Sequence, residues 1–220
     1  EAVPIVPDVR LRLVQPSIAE SDKASETTFV QNVRRQLQLS TAPAKARPNV
    51  IIWSEAAEPF QLDQSPELAK ALGSILPPDG ILITGTVRFV PDSTGRFTAR
   101  NSVVVLNSAG KIIATYDKFH LVPFGEYMPL ERWLPLRGIA AGDDSFAEGP
   151  GLTTLALPGL PSVSPLICYE VIFPHEVADE AHRPQWLLDV TNDAWFGLTA
   201  GPHQHFAMMA MRAIGEGLPL

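Results

Sequence analysis

The chain has 220 residues, 45% hydrophobic and 19% charged, which suits one globular domain with a sizeable core. Its formal net charge is -7 and its sequence pI is near 5.2. Such an acidic balance speaks against nucleic acid, whose phosphates need clustered Lys and Arg, and against bulk attraction to anionic lipid.

The start, Glu1-Ala2-Val3-Pro4, has no basic or apolar leader region and reads as a cut point in a longer protein or a mature terminus. No apolar run reaches about 18 residues, so no transmembrane helix is expected within the chain. Val9 to Val14 alternates apolar and basic and predicts a strand with one solvated face. Residues 25–39 carry Phe29, Val33 and Leu37 at helical spacing. Val50-Ile51-Ile52-Trp53 is a continuous apolar run, hence a buried strand, and it ends at Ser54-Glu55. Residues 66–76 predict a helix with Pro66 in its first turn. Ile81 to Gly85 is a further buried strand, and Ser102–Leu106 with Lys111–Tyr116 reads as a hairpin around Gly110.

Residues 121–151 are rich in Pro and Gly and predict a long loop, a feature more often functional than accidental in a compact domain. Ser164 to Cys168 reads as a short strand, His175 to His182 as a helix, Trp186 to Val190 as a strand and Gln204 to Ile214 as a Met- and Ala-rich helix. Buried β and amphipathic α segments alternate, which argues a layered α/β sandwich.

The chain has a single cysteine, Cys168, in Leu166-Ile167-Cys168-Tyr169-Glu170. One thiol makes no internal disulfide and no cysteine-built metal site, so it is either an inert buried thiol or a nucleophile. Glu55, Lys118 and Cys168 each follow a buried strand, where α/β folds place chemistry. A thiol attacks as thiolate; a glutamate can take its proton and return it to a leaving group. A lysine lowers a neighbouring thiol pKa and stabilises an oxyanion. Together they form a coherent acyl-transfer set, and on this reading Cys168 alkylates faster than a free thiol.

Plainer readings stand beside these. Glu55 is also placed as a helix N-terminal acid, Lys118 and Glu126 as solvated loop charges, and Glu170 as a hydrogen-bonding scaffold. Tyr169 reads as core or as a backbone oxyanion donor, Trp195-Phe196-Gly197 as a buried turn, and Met208, Met209 and Met211 as core packing. His203 and His205 at i, i+2 do not share a helix face, so no metal is expected.

Trp53-Ser54-Glu55, Tyr116-Asp117-Lys118 through Pro123-Phe124-Gly125-Glu126, and Ile167-Cys168-Tyr169-Glu170 resemble the Glu-Lys-Cys motifs of the nitrilase (carbon–nitrogen hydrolase) superfamily. Thr191-Asn192-Asp193-Ala194-Trp195-Phe196-Gly197, Gly201-Pro202-His203-Gln204-His205 and Met209 to Ala213 resemble its apolipoprotein N-acyltransferase branch. The ordered set covers nearly the whole chain. The resemblance implies an αββα sandwich formed by a single domain over 1–220. It implies Cys168 as nucleophile, Glu55 as general base and Lys118 as stabiliser of the tetrahedral intermediate. Glu126 and Glu170 would be supporting acids, with Tyr169 and Trp195 lining the substrate approach. No cofactor is implied.

The implied reaction takes an acyl chain from a phospholipid donor onto the cysteine as a thioester, then passes it to the N-terminal amine of a diacylglyceryl-cysteine lipoprotein. The implied place is the periplasmic face of a bacterial inner membrane, reached through membrane segments outside this chain. Ser54 stands where the family usually has Pro, and Leu218-Pro219 where it usually has Arg-Pro. The family fold is expected to continue past Leu220, so the sandwich would be C-terminally incomplete with an open sheet edge. A soluble amidase of the same superfamily is the alternative activity, and a non-catalytic binding module is a third.

Overall fold

The computed structural model describes residues 5–18, 26–57, 61–91, 95–129 and 145–220. The readings of residues 1–4, of Ser25, of the Phe29 side chain and of the middle of the 121–151 loop fall outside these. Strands β1 (Leu11–Val14), β2 (Val50–Trp53) and β3 (Ile81–Pro91) pair in parallel. The antiparallel strands β4 (Phe97–Asn107) and β5 (Ile112–Asp117) extend the same sheet in chain order. A second sheet pairs β6 (Val163–Ile167) with β7 (Trp186–Val190) in parallel. The helices are α1 (Glu26–Thr41), α2 (Pro66–Gly73) and α3 (Gly201–Glu216).

Strand alternation sorts the apolar residues into layers. Val50, Ile52, Ile83, Val103 and Val105 meet Val163, Ile167, Leu188 and Val190 between the two sheets. On the other face Ile51, Trp53, Leu82 and Val104 pack under Leu37 of α1 and Leu72 of α2. Leu166 and Leu187 face outward from the second sheet toward Met209 of α3. The order is therefore α, β, β, α, as the family resemblance implies. It explains why β2 reads as an unbroken apolar run: both of its faces are covered.

Three local readings change. On β1 it is Leu11 and Leu13 that are exposed, while Arg12 turns back and donates from Nη1 to the carbonyls of Leu39 (3.2 Å) and Ser40 (2.6 Å). Helix α1 has no basic residue in its last turn, so the strand supplies the cation its C-terminal carbonyls attract. Strands β3 and β4 pair over eleven residues each, well past the predicted Gly85 and Ser102. Their outer half, Val87–Pro91 against Phe97–Asn101, mixes Arg88, Arg100 and Thr98 with apolar residues and so lacks a buried-strand signature. No α-helix forms at 175–182: His175 adopts φ 63 after Pro174, and only a short 3-10 turn, Glu180–His182, forms where the Asp179 carboxylate accepts from Ala181 N–H.

Helix α3 is longer than predicted and packs through Met209, whereas Met208 and Met211 are exposed with Phe206 and Ile214. Among the described residues no helix is long and apolar enough to cross a membrane.

Candidate active site

The three strand-end residues converge. Glu55 follows β2, where the chain crosses over β3 at Gly85. A Cβ on Gly85 would lie 2.6 Å from Glu55 Cα and from the Ser54 carbonyl oxygen, so only glycine lets the two backbones pass this closely. Gly85 N–H donates to Ser54 O at 3.2 Å, and the buried Gln36 of α1 donates from Nε2 to Ala57 O at 2.8 Å. Glu55 is thus held from both sides. Its Oε1 accepts from Asn101 Nδ2 (2.8 Å), and its Oε2 accepts from Asn192 N–H (3.0 Å).

Lys118 follows β5. Its N–H donates to Asn101 O at 2.9 Å and its carbonyl accepts from Gly149 N–H at 2.7 Å. The preceding Asp117 is fixed by Arg88 (2.8 Å) and the Ser102 hydroxyl (2.7 Å). The Lys118 side chain is 1% exposed, with Nζ 3.8 Å from Glu55 Oε1 and 2.9 Å from Glu126 Oε2. Asn101 Nδ2 also donates to Glu126 Oε1 (2.9 Å), and Glu126 Oε2 accepts from Val122 N–H (2.9 Å). The loop reading of Glu126 therefore holds for its backbone and not for its carboxylate, which grips the buried ammonium.

Cys168 opens a 3-10 turn, Cys168–Ile172, directly after β6, with φ 52, in the left-handed region that side-chain-bearing residues rarely adopt. Glu170 secures that turn. Wholly buried, it accepts from Ile167 N–H (2.8 Å), Phe119 N–H (2.8 Å), His120 N–H (3.1 Å) and the Tyr116 hydroxyl (2.9 Å). It is a scaffold that ties the thiol-bearing turn to the segment carrying Lys118. Tyr169 sits partly buried on the turn, edge-on to Phe173 with ring centroids 5.0 Å apart. Trp195 is 70% exposed on the turn Asp193–Phe196 and stands outside the buried cluster, so the buried-turn reading of Trp195-Phe196-Gly197 does not hold.

The charges settle into a definite pattern. Burial raises the Glu55 carboxyl above its ordinary value, and Lys118 and Asn101 only partly offset that. Burial alone would pull Lys118 down, but the Glu55 and Glu126 carboxylates together hold it above the usual lysine range, so it stays an ammonium. The Cys168 thiol is pushed up to about 12, first by burial and then by the Glu55 charge; the Thr191 hydroxyl and Lys118 pull it down by less. Burial and the Glu55 charge act against the fast-alkylating thiol expected from the sequence. The resting group is a neutral thiol beside a carboxylate of raised basicity, and the proton is placed to cross to Glu55 as the sulfur attacks.

Two consequences are measurable. At pH 7.5 iodoacetamide should label Cys168 about a hundredfold more slowly than free cysteine. The thiolate fraction falls by ~10³, and the higher nucleophilicity of a high-pKa thiolate returns part of that. Glu55→Gln removes a charge that raises the thiol and should speed labelling severalfold, while slowing any reaction that needs a general base by about 10²–10⁴. Slower labelling in the variant than in the wild type would contradict this assignment.

Sequence reasoning missed Asn101, Tyr116, Thr191 and His205. A polar Asn101-Ser102 pair directly before the apolar run Val103–Leu106 was the available signal for the first. Among the described residues no group of three or more His, Cys, Asp or Glu is placed to hold a metal ion.

The carbon-nitrogen hydrolase family matches residues 10–220. The chain is 41% identical over 221 residues to an apolipoprotein N-acyltransferase of Allorhizobium ampelinum, covering 96% of this chain and 42% of that protein. It is 37% identical to one of Bradyrhizobium diazoefficiens, with 98% and 42% covered. The chain thus spans less than half the length of these curated relatives. Among solved structures an amidase from Nesterenkonia sp. matches with a TM-score of 0.59 at 18% identity, covering 99% of this chain and 76% of that one. A mutant of that amidase, with the acetamide moiety of fluoroacetamide covalently added at its active-site cysteine, matches at 0.60 and 18%, with 99% and 76% covered. These structural likenesses establish the fold.

Proposed function

Because the chain belongs to the carbon–nitrogen hydrolase family, we propose that it carries the acyl-transfer centre of an apolipoprotein N-acyltransferase, with Glu55, Lys118 and Cys168 as its catalytic residues. The observation that carries this is the buried Lys118 ammonium, clamped by Glu55 and Glu126 beside the chain's single cysteine. The relatives at 37–41% identity that bear that name support N-acylation of a lipoprotein acceptor.

In the first half-reaction Glu55 takes the thiol proton as Cys168 sulfur adds to a phospholipid ester carbonyl. The carbonyl π pair becomes an oxyanion facing the Lys118 ammonium. Collapse expels the glycerol oxygen, which takes the proton from Glu55 and leaves as lysophospholipid, so that a thioester remains on Cys168. In the second, the N-terminal amine of a diacylglyceryl-cysteine lipoprotein adds to the thioester carbonyl. Glu55 takes a proton from the amine, and the thiolate departs and is reprotonated. Glu126 and Glu170 hold the ammonium and the turn. Tyr169 and Trp195 line the approach; the exposure of Trp195 suits contact with an apolar substrate. The place of action is the periplasmic face of a bacterial inner membrane, reached through segments outside this chain.

The test is intact mass after incubation with phospholipid in detergent, beside Cys168→Ala. An added acyl mass on the wild type alone, removed by hydroxylamine, is expected. A chain that gains no mass but releases ammonia from small amides would instead be an amidase, the reading that the fold's solved neighbours favour.

A further inference from the structure

His205 is placed by the sequence on the last helix, in the Gly201–His205 motif, where the pattern speaks against a metal. It lies 5% exposed on α3, with both ring nitrogens engaged. Nδ1 is 2.8 Å from Asp193 Oδ1, and Nε2 is 3.1 Å from the Cys168 carbonyl oxygen. Both partners are oxygens that accept. A neutral imidazole has one N–H and would leave one of these contacts without a proton. The same Asp193 oxygen also accepts from the Thr191 hydroxyl at 3.3 Å, and that hydroxyl bonds to the Cys168 thiol. Two paths therefore run from one carboxylate to one residue, through its sulfur and through its backbone.

We infer that His205 is a positioning residue for Cys168: protonated on both nitrogens, it bridges the Asp193 carboxylate to the Cys168 carbonyl and holds the thiol-bearing turn in its left-handed backbone. The inference rests on the reading of Cys168 as nucleophile. Three titratable groups face the ring: Asp193 from the turn after β7, Cys168 from the turn after β6, and Asp189 from β7, whose Oδ2 is 4.0 Å from Nε2. The Asp189 side chain is 0% exposed, and neither oxygen makes a hydrogen bond of normal geometry. Burial, followed by the Glu55 and Glu170 charges, raises that carboxyl well above its ordinary value. Asp193, at 2.8 Å against 4.0 Å for Asp189, is the nearer carboxylate and the counter-charge to the ring. A carbonyl held by a cationic donor resists the peptide rotation that would return Cys168 to an ordinary φ.

The charge state is read directly by long-range nitrogen–proton correlation on the ¹⁵N-labelled 220-residue chain at pH 7.5, the His205 signals being assigned by their loss in His205→Gln. Both nitrogens should show protonated shifts, and Asp193→Asn should return one of them to the neutral pattern. A neutral tautomer in the wild type would overturn the inference. The role is read from the pH profile of Cys168 alkylation in two variants. His205→Gln keeps an N–H for the Cys168 carbonyl but removes the charge, and should slow labelling at pH 9 severalfold. His205→Ala frees the turn, exposes the thiol and should speed labelling severalfold, toward the profile of free cysteine. Opposite displacements support positioning; displacements of the same sign, or none, refute it. Neither readout needs an acyl donor, so an absent acyl-enzyme would sink the proposed function without touching this result.

Discussion

Lys118→Met is expected to lower acyl-enzyme formation by about 10²–10³ or more, the usual cost of removing a donor that faces a developing oxyanion. It should also destabilise the fold by about 3–5 kcal/mol, because the variant leaves buried charge without its partner. The orphaned charge is specific. Glu55 and Glu126 both face the vacated position, and Asn101 holds one oxygen of each. Burial raises the Glu55 carboxyl and Lys118 is the largest influence that lowers it, so the substitution leaves only the weaker Asn101 and Asn192 hydrogen bonds against burial and Glu126. A carboxyl raised in the native state binds a proton that the unfolded chain releases. Its stabilising contribution is present below the unfolded value and is lost as pH rises through the folded one. Thermal midpoints should therefore fall further below wild type at pH 8 than at pH 5. An equal deficit at both pH values would mean that the Glu55 and Glu126 carboxylates do not feel Lys118. The wild type has the complementary dependence at the alkaline end: Lys118, raised above 10.5, contributes stability that is lost as pH climbs through its folded value.

Glu170→Ala should be the most damaging substitution for folding. It strips the acceptor from the Phe119, His120 and Ile167 amides and from the Tyr116 hydroxyl, all within buried or partly buried surroundings. Each unsatisfied donor costs about 1–3 kcal/mol, so the sum is comparable with the whole stability of a domain of this size, roughly 5–15 kcal/mol. Thermal unfolding should show a midpoint lower by about 10 °C or more, or no cooperative transition. Glu170→Gln keeps the shape and one acceptor oxygen but presents an NH₂ group to a ring of donors, and should lie between. A Gln variant as stable as wild type would show that the donors do not all need the carboxylate.

The readable part of this chain was the part whose message is local. Val50–Trp53 is apolar on every residue because both sheet faces are covered, and a continuous run records that directly. Residues that bear chemistry directly after buried strands stand out by contrast, which is why Glu55 after β2 and Cys168 after β6 are candidates before any geometry. The hidden part depends on pairings across long separations. Asn101 reaches Glu55 from 46 residues away, and His205 reaches the Cys168 carbonyl from 37 residues away. No window along the sequence contains both partners. The sign of the thiol shift was hidden for a related reason: residue types suggest that Lys118 lowers it, but burial and Glu55 prevail, and burial is a property of the packed chain. The expected helix at 175–182 failed because Pro174 and a left-handed His175 redirect the backbone, and composition alone does not report φ.

The β3–β4 ladder couples folding to chemistry through its phase. Asn101 stands opposite Val87, and Val103 stands opposite Gly85, two residues along on the same face. The alternation that sends Val103 and Val105 into the core between the sheets is therefore the alternation that aims the Asn101 amide at both carboxylates. A slip of one residue in the pairing would invert both at once. It would turn apolar side chains out of the core, and it would aim the Asn101 amide away from the carboxylates. Molecules in the wrong phase are thus barred from a stable native state and removed as unfolded chain, and a population that has folded carries little latent inactive material. Measured specific activity should then track the folded fraction with a single proportionality constant, whatever the refolding conditions.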